Sequence, residues 1–162
     1  MKTILLTFSI VFSVVTINPQ NSIQLSDFSS IVNTSWEGTL THRDYQSGQL
    51  ETVDATMQFK IEGDKIITNV QYTYELNKNH KGSVKIKKNG TYFGNEKVVS
   101  FKEEDGTKTL VTTYKGKDKN RKAEMFITHT LTDSTYTVSK EVVYLDTKER
   151  LVRNTYQYTK IQ

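Results

Sequence analysis

From Thr34 onward, apolar residues recur at every second position, and that period constrains the fold more than any other feature of the chain. Val53, Ala55, Met57, Phe59 and Ile61 are apolar, while Asp54, Thr56, Gln58 and Lys60 between them are polar. Successive side chains of an extended strand point to opposite faces, so this segment has one dry face and one wet face. Val70, Tyr72, Tyr74 and Leu76 repeat the pattern. Val84 and Ile86 do so too, and Ala123, Met125, Ile127, His129 and Leu131 follow it less cleanly. Thr, Tyr, Val and Ile are prominent, as a pleated, half-buried surface favours.

Short turn sequences separate these runs. They are Gln46-Ser47-Gly48, Glu62-Gly63-Asp64, Asn89-Gly90, Asp105-Gly106, Lys115-Gly116-Lys117-Asp118, Thr132-Asp133-Ser134 and Asp146-Thr147-Lys148. Their spacing of roughly 10 to 16 residues suits an up-and-down meander of about nine or ten strands. One helix is expected, over 26–33, with Ser26 as its cap and Phe28, Ile31 and Val32 on one face. It precedes the first strand and is placed to plug one end of a barrel. Crossover helices are lacking, so the sheet is antiparallel. A sheet this long hides its dry face by closing into a barrel of about 8–10 strands or by splitting into two layers, and meander connectivity favours closure. A two-sheet sandwich is the alternative.

The first residues have a different texture. Met1-Lys2 is followed by an apolar run through Ile17, the pattern of a secretory signal peptide. The run is shorter than the roughly 20 residues that span a bilayer. The expected organisation is a signal peptide over 1–20 and a barrel domain over 21–162, secreted or periplasmic and without a membrane span in its mature form. The chain has no cysteine, which excludes disulfides, thiolate metal sites and thiol nucleophiles. Its formal charge of +4 includes Lys2, and the other lysines concentrate on predicted turns and outward strand positions. Aromatic residues do not interleave with them as stacking platforms, so nucleic acid is not an expected partner.

The only tryptophan lies in Asn33-Thr34-Ser35-Trp36-Glu37-Gly38-Thr39-Leu40, and Arg153 in Leu151-Val152-Arg153-Asn154-Thr155-Tyr156 near the end of the chain. A lone tryptophan on the first strand with an arginine on the last resembles the lipocalin-like (calycin) barrels, where that pair closes the barrel end. The chain departs from the family at Thr34, where the usual glycine is absent; a glycine follows instead, at Gly38. Trp36-x-Gly38 is similar to the small haem-binding nitrobindin-like barrels. The resemblance implies a fold and an apolar cavity, with no specific ligand. A cation–π contact between Trp36 and Arg153, worth roughly 0.5–2 kcal/mol, would seal that end.

Motifs for chemistry are sparse. Nucleophile elbow, phosphate loop, His-Glu-x-x-His and calcium loop are all missing, and no metal site is expected. His42 and Asp44 share the phase of Trp36 and Leu40 and are expected to point inward; His129 shares the phase of Met125 and Ile127; His80 lies in a lysine-rich turn. Three readings compete: acid–base work by His42, Asp44 or His129, an axial haem ligand at His129, and a structural histidine bonded to Tyr or Thr. The third is favoured, so neither a catalytic residue nor a cofactor is expected, with haem as the alternative. The resulting expectation is a small apolar ligand inside the barrel, contacted by Phe59, Tyr72, Tyr74, Met125, Ile127 and His129. A filled-core interaction module would instead expose Tyr45, Tyr156 and Tyr158 as an aromatic patch.

Overall fold

The computed structural model describes residues 21–74 and 76–161, so the leader expectation lies outside the described residues. Ten strands run Ser35–Arg43 (β1), Leu50–Glu62 (β2), Lys65–Tyr72 (β3), His80–Lys87 (β4), Tyr92–Phe93 (β5), Glu96–Glu104 (β6), Thr107–Asp118 (β7), Arg121–Leu131 (β8), Thr135–Tyr144 (β9) and Arg150–Ile161 (β10). Each pairs antiparallel with its sequence neighbours, and β10 pairs with β1 to close the barrel. Closure removes every free sheet edge, which a meander of polar-faced strands otherwise leaves exposed. Among the described residues no helix is long and apolar enough to cross a membrane.

The alternating pattern places the interior. Ala55, Met57 and Phe59 are buried on β2, and Ile66, Val70 and Tyr72 on β3. The inward residues form cross-strand rows. Leu131, Tyr136, Tyr158, Gly38, Ala55 and Tyr72 make one row; Leu110, His129, Val138, Tyr156, Leu40 and Val53 make the next.

A seven-residue 3-10 helix, Leu25–Ile31, plugs the barrel end at which Trp36 sits. It starts one residue before the expected helix and ends two residues before its expected end. Its lead-in is held by the Gln24 amide, which donates to Asp27 Oδ2 at 2.7 Å, in place of a Ser26 cap. Phe28 and Ile31 are buried, and Phe28 stacks on Phe93 with centroids 5.4 Å apart.

The expected turn at Lys115–Asp118 is strand instead, and the chain reverses at Lys119-Asn120, both at positive φ. Gly116 sits within β7, where a Cβ would meet Met125 Cε at 3.4 Å, an ordinary van der Waals distance. At Gly38 a Cβ would stand 1.9 Å from the Gln157 carbonyl oxygen, so the seam between β1 and β10 requires glycine there.

The expected Trp36–Arg153 contact does not form. Trp36 faces Lys160 across the seam, whereas Arg153 lies further back on β10, beside the residue that faces His42. The two mark opposite ends of the barrel. Trp36 is fully buried, and its indole N–H donates to Thr34 Oγ1 at 2.7 Å, while the Thr34 hydroxyl donates to the Ile31 carbonyl. Thr34 therefore ties the tryptophan to the helix.

Candidate functional site

Between the two ends the barrel holds a cavity of about 540 Å³. Gly82, Ser83 and Val84 of β4 and the Gly94-Asn95 turn line one side. This is the weakest stretch of wall, because β5 is only two residues long. Ile127, His129, Val138, Lys140, Asn154 and Tyr156 on β8, β9 and β10 face it from across the barrel. A smaller lobe of about 160 Å³ shares Phe59, Tyr136, Val138 and Tyr156 with it. Val138 sits between His129 and Tyr156 in its row, and so small a side chain between two rings leaves room.

The lining divides by chemistry. Towards the helix end it is apolar and aromatic: Phe59, Ile66, Phe93 and Tyr136. Tyr136 stacks on Tyr158, and Tyr158 on Tyr156, with centroids 6.5 and 5.7 Å apart. Tyr156 and Tyr72 join hydroxyls at 2.7 Å across the interior. One row beyond Val138 and Tyr156, Lys140 and Asn154 face each other, and Glu96, opposite Phe93 in the β5–β6 pairing, adds a carboxyl group to the wall. Glu96 accepts a hydrogen bond from the Thr112 hydroxyl through one oxygen. Burial raises its pKa above the ordinary carboxylate value, against the opposing effects of Thr112 and Lys140.

His129 shares a hydrogen bond of 2.8 Å between Nδ1 and the Tyr136 hydroxyl, and Phe93 stands edge-to-face with its ring. Burial lowers its pKa to about 4, so it is neutral at physiological pH. An axial iron ligand needs a ring nitrogen presented to the cavity. Nδ1 is taken by Tyr136 and Nε2 is buried among the barrel's own atoms without a partner, so the residues as placed do not fit haem. Among the described residues no group of three or more His, Cys, Asp or Glu side chains is placed to hold a metal ion.

Of the six expected ligand contacts, Phe59, Ile127 and His129 line the cavity. Tyr72 is buried in the core, spending its hydroxyl on Tyr156. Tyr74 is 83% exposed: β3 ends at Tyr72, and the chain leaves the sheet for a short 3-10 turn at Leu76–Lys78, so the alternating phase no longer applies. Met125 is buried in a separate cluster with Ala123, Val142 and Tyr144 at the end opposite the helix.

At that end Arg153 and Asp118, 4% and 3% exposed, form a buried ion pair. Asp118 also accepts hydrogen bonds from Tyr144 at 2.5 Å and Tyr45 at 3.0 Å, and the guanidinium lies over the Tyr45 ring at 4.5 Å. Burial pushes the Asp118 pKa up, but the hydrogen bonds from Tyr144, Arg153 and Tyr45 outweigh it and hold it below the usual value.

The proposed acid–base set does not assemble. Asp44 lies in the turn after β1 and accepts the Gln46 and Ser47 amides; His42 lies 3.6 Å from Glu51; His129 is in the cavity wall. The three share no cavity. The aromatic patch does not form either, because Tyr158 is buried, Tyr156 lines the cavity and Tyr45 is turned onto Asp118.

The sequence reading missed Glu96, Lys140 and Asn154. For two of them a signal existed. Lys140 interrupts the apolar phase of Tyr136, Val138, Val142 and Tyr144, and Glu96 precedes Val98 in phase. A charge in the dry phase of a strand is a cavity residue or an ion-pair partner.

A closed ten-stranded up-and-down antiparallel barrel with a cavity fits a calycin, or lipocalin-like, fold. No protein-family model and no curated protein sequence matches the chain. Among solved structures, Rv2717c from M. tuberculosis superposes with a TM-score of 0.59 at 10% identity, over 85% of this chain and 97% of that one. A mutant of the fluorescent protein UnaG superposes with a TM-score of 0.41 at 11% identity, over 82% of this chain and 97% of the other. The likeness to Rv2717c is one of fold.

Proposed function

We propose that this is an exported lipocalin-like protein that carries a small, largely apolar ligand inside its barrel. The observation that carries the reading is the 540 Å³ cavity itself, a size in the range of small-molecule sites. Export rests on the apolar run after Met1-Lys2. The aromatic half of the lining, Phe59, Phe93 and Tyr136, supplies apolar contact, while the row with Lys140 and Asn154 orients a polar end.

Native mass spectrometry of the protein purified from its own source tests this. A co-purified small molecule, lost on replacing Val84→Trp at the cavity wall while the folded spectrum is kept, is the expected result. A ligand-free protein that takes up no apolar dye would overturn it. A Soret band bleached by His129→Ala would move the reading to haem and require the imidazole to turn away from Tyr136.

A further inference from the structure

The cavity carries one cation and one carboxyl group, and they are not in contact. Among the described residues Lys140 makes no ion pair and no hydrogen bond; its Nζ lies 5.7 Å from the centre of the Tyr114 ring, and it acts on Glu96 at a distance, by charge alone. Asn154 likewise lines the cavity without a hydrogen bond from its side chain. The other cation of the interior, Arg153, is matched by Asp118. Glu96 has one oxygen on Thr112 and the other free.

These two charges differ in how they can be neutralised. A carboxylate raised by burial is neutralised by taking up a proton, and burial does raise Glu96. An ammonium in a largely apolar cavity with no carboxylate in contact with it is best neutralised by an anion arriving with the ligand. An amine ligand would gain Glu96 and meet the repulsion of Lys140. The balance favours an acid.

We infer that the ligand is a monoanionic organic acid whose charged group lies between Lys140 and Asn154, and that binding it draws a proton onto Glu96. This rests on the cavity being the ligand site, as proposed above. The linkage has a definite sign. An anion placed in the cavity raises the pKa of Glu96 further, so the complex holds more protons than the free protein, and affinity rises as pH falls.

No other group facing Glu96 shares this role near neutral pH. Phe93 on β5, Thr112 on β7 and the cavity residues of β3 and β4 do not titrate. On β8, His129 stays neutral down to about pH 4, and on β9 and β10 burial keeps Tyr136 and Tyr156 protonated.

The test uses three ring-matched probes (naphthoate, its neutral amide naphthamide, and naphthalenesulfonate) titrated by calorimetry from neutral pH to about pH 5.5. Naphthoate is expected to bind about tenfold tighter than naphthamide, the size of one charge-assisted hydrogen bond. Lys140→Met removes that preference without weakening naphthamide, and Lys140→Arg keeps it. Naphthalenesulfonate stays ionised throughout, so its tighter binding at lower pH reports a protein group, and Glu96→Gln abolishes that slope together with the proton uptake seen between buffers. Equal affinity for acid and amide, or a slope that survives Glu96→Gln, overturns this inference and leaves the cavity reading standing. Failure of all three probes to bind overturns both.

Discussion

The two ends of the barrel are closed by different physics. At the helix end Trp36, Phe28, Ile31 and Ile23 fill the opening with apolar volume, and the few polar atoms there are satisfied locally, as Thr34 does for the indole. At the opposite end a small cluster of Ala123, Met125, Val142 and Tyr144 is roofed by the Asp118–Arg153 pair and two tyrosine hydroxyls. Apolar closure is indifferent to pH and salt. Ionic closure depends on both partners keeping their charge, and a buried charge left alone is costly. The cavity lies between these regimes, with Phe59 and Tyr136 on the side of the first end and Lys140 and Asn154 towards the second.

Truncating the apolar plug should have the largest effect. Trp36→Ala removes a fully buried indole and its hydrogen bond to Thr34, and is expected to cost about 4 kcal/mol in urea unfolding, with most of the loss appearing as a lower midpoint. If the far end holds the fold alone, the loss will be under about 1 kcal/mol and the plug is decoration.

The ionic end is tested by asymmetry. Asp118→Ala leaves Arg153 buried without its carboxylate and is expected to cost about 3 kcal/mol. Replacing both, Asp118→Leu with Arg153→Met, should recover most of that, because an apolar pair fills the same space without stranding a charge. The wild-type pair also gives this end an acid limit. The pKa of Asp118 is depressed in the folded state, so its contribution is present above its ordinary value of 3.8 and is lost as pH falls below it. The double variant should lack that loss.

The first region, its strands and its alternation were legible because a period of two is a direct consequence of strand geometry, as in Val53 to Ile61. The second region was not. Arg153 points inward because the pairing of β10 with β9 shifts between Val152 and Asn154, and such a bulge puts Arg153 and Asn154 on the same side; nothing local in Val152-Arg153-Asn154 announces it. Its partner Asp118 was hidden for a similar reason. Lys115-Gly116-Lys117-Asp118 has turn composition, yet long-range pairing with β8 carries the strand through to Asp118. Tyr74 failed in the opposite direction, by extending a correct phase past the end of its strand.

A third pH window belongs to the aromatic side of the cavity. His129 has a folded pKa of about 4 against an ordinary value of 6.5, so the unfolded chain binds a proton that the folded one excludes. Stability from this site is complete above pH 6.5 and falls as pH drops towards 4, by about 2 kcal/mol at pH 5. Glu96 works against it, since a raised carboxyl pKa adds stability on acidification. His129→Phe should flatten or reverse the change between pH 7 and pH 5, measured against the wild type in the same buffers. An unchanged slope would mean the imidazole is solvated in the folded state.

The smallest effects separate a satisfied hydroxyl from an orphaned one within one stack of rings. Tyr156 and Tyr158 stack at 5.7 Å, but the Tyr156 hydroxyl reaches Tyr72 at 2.7 Å whereas that of Tyr158 is buried without a partner. Removing the first hydroxyl strands that of Tyr72; removing the second strands nothing and relieves a buried polar atom. Tyr156→Phe is therefore expected to lower stability by about 1 kcal/mol and Tyr158→Phe to raise it by up to about 1 kcal/mol, with equal m-values in urea. If both substitutions destabilise equally, Tyr158 is hydrogen-bonded in solution, and the cavity lobe it lines with Met57 and Val70 holds water instead of apolar ligand atoms.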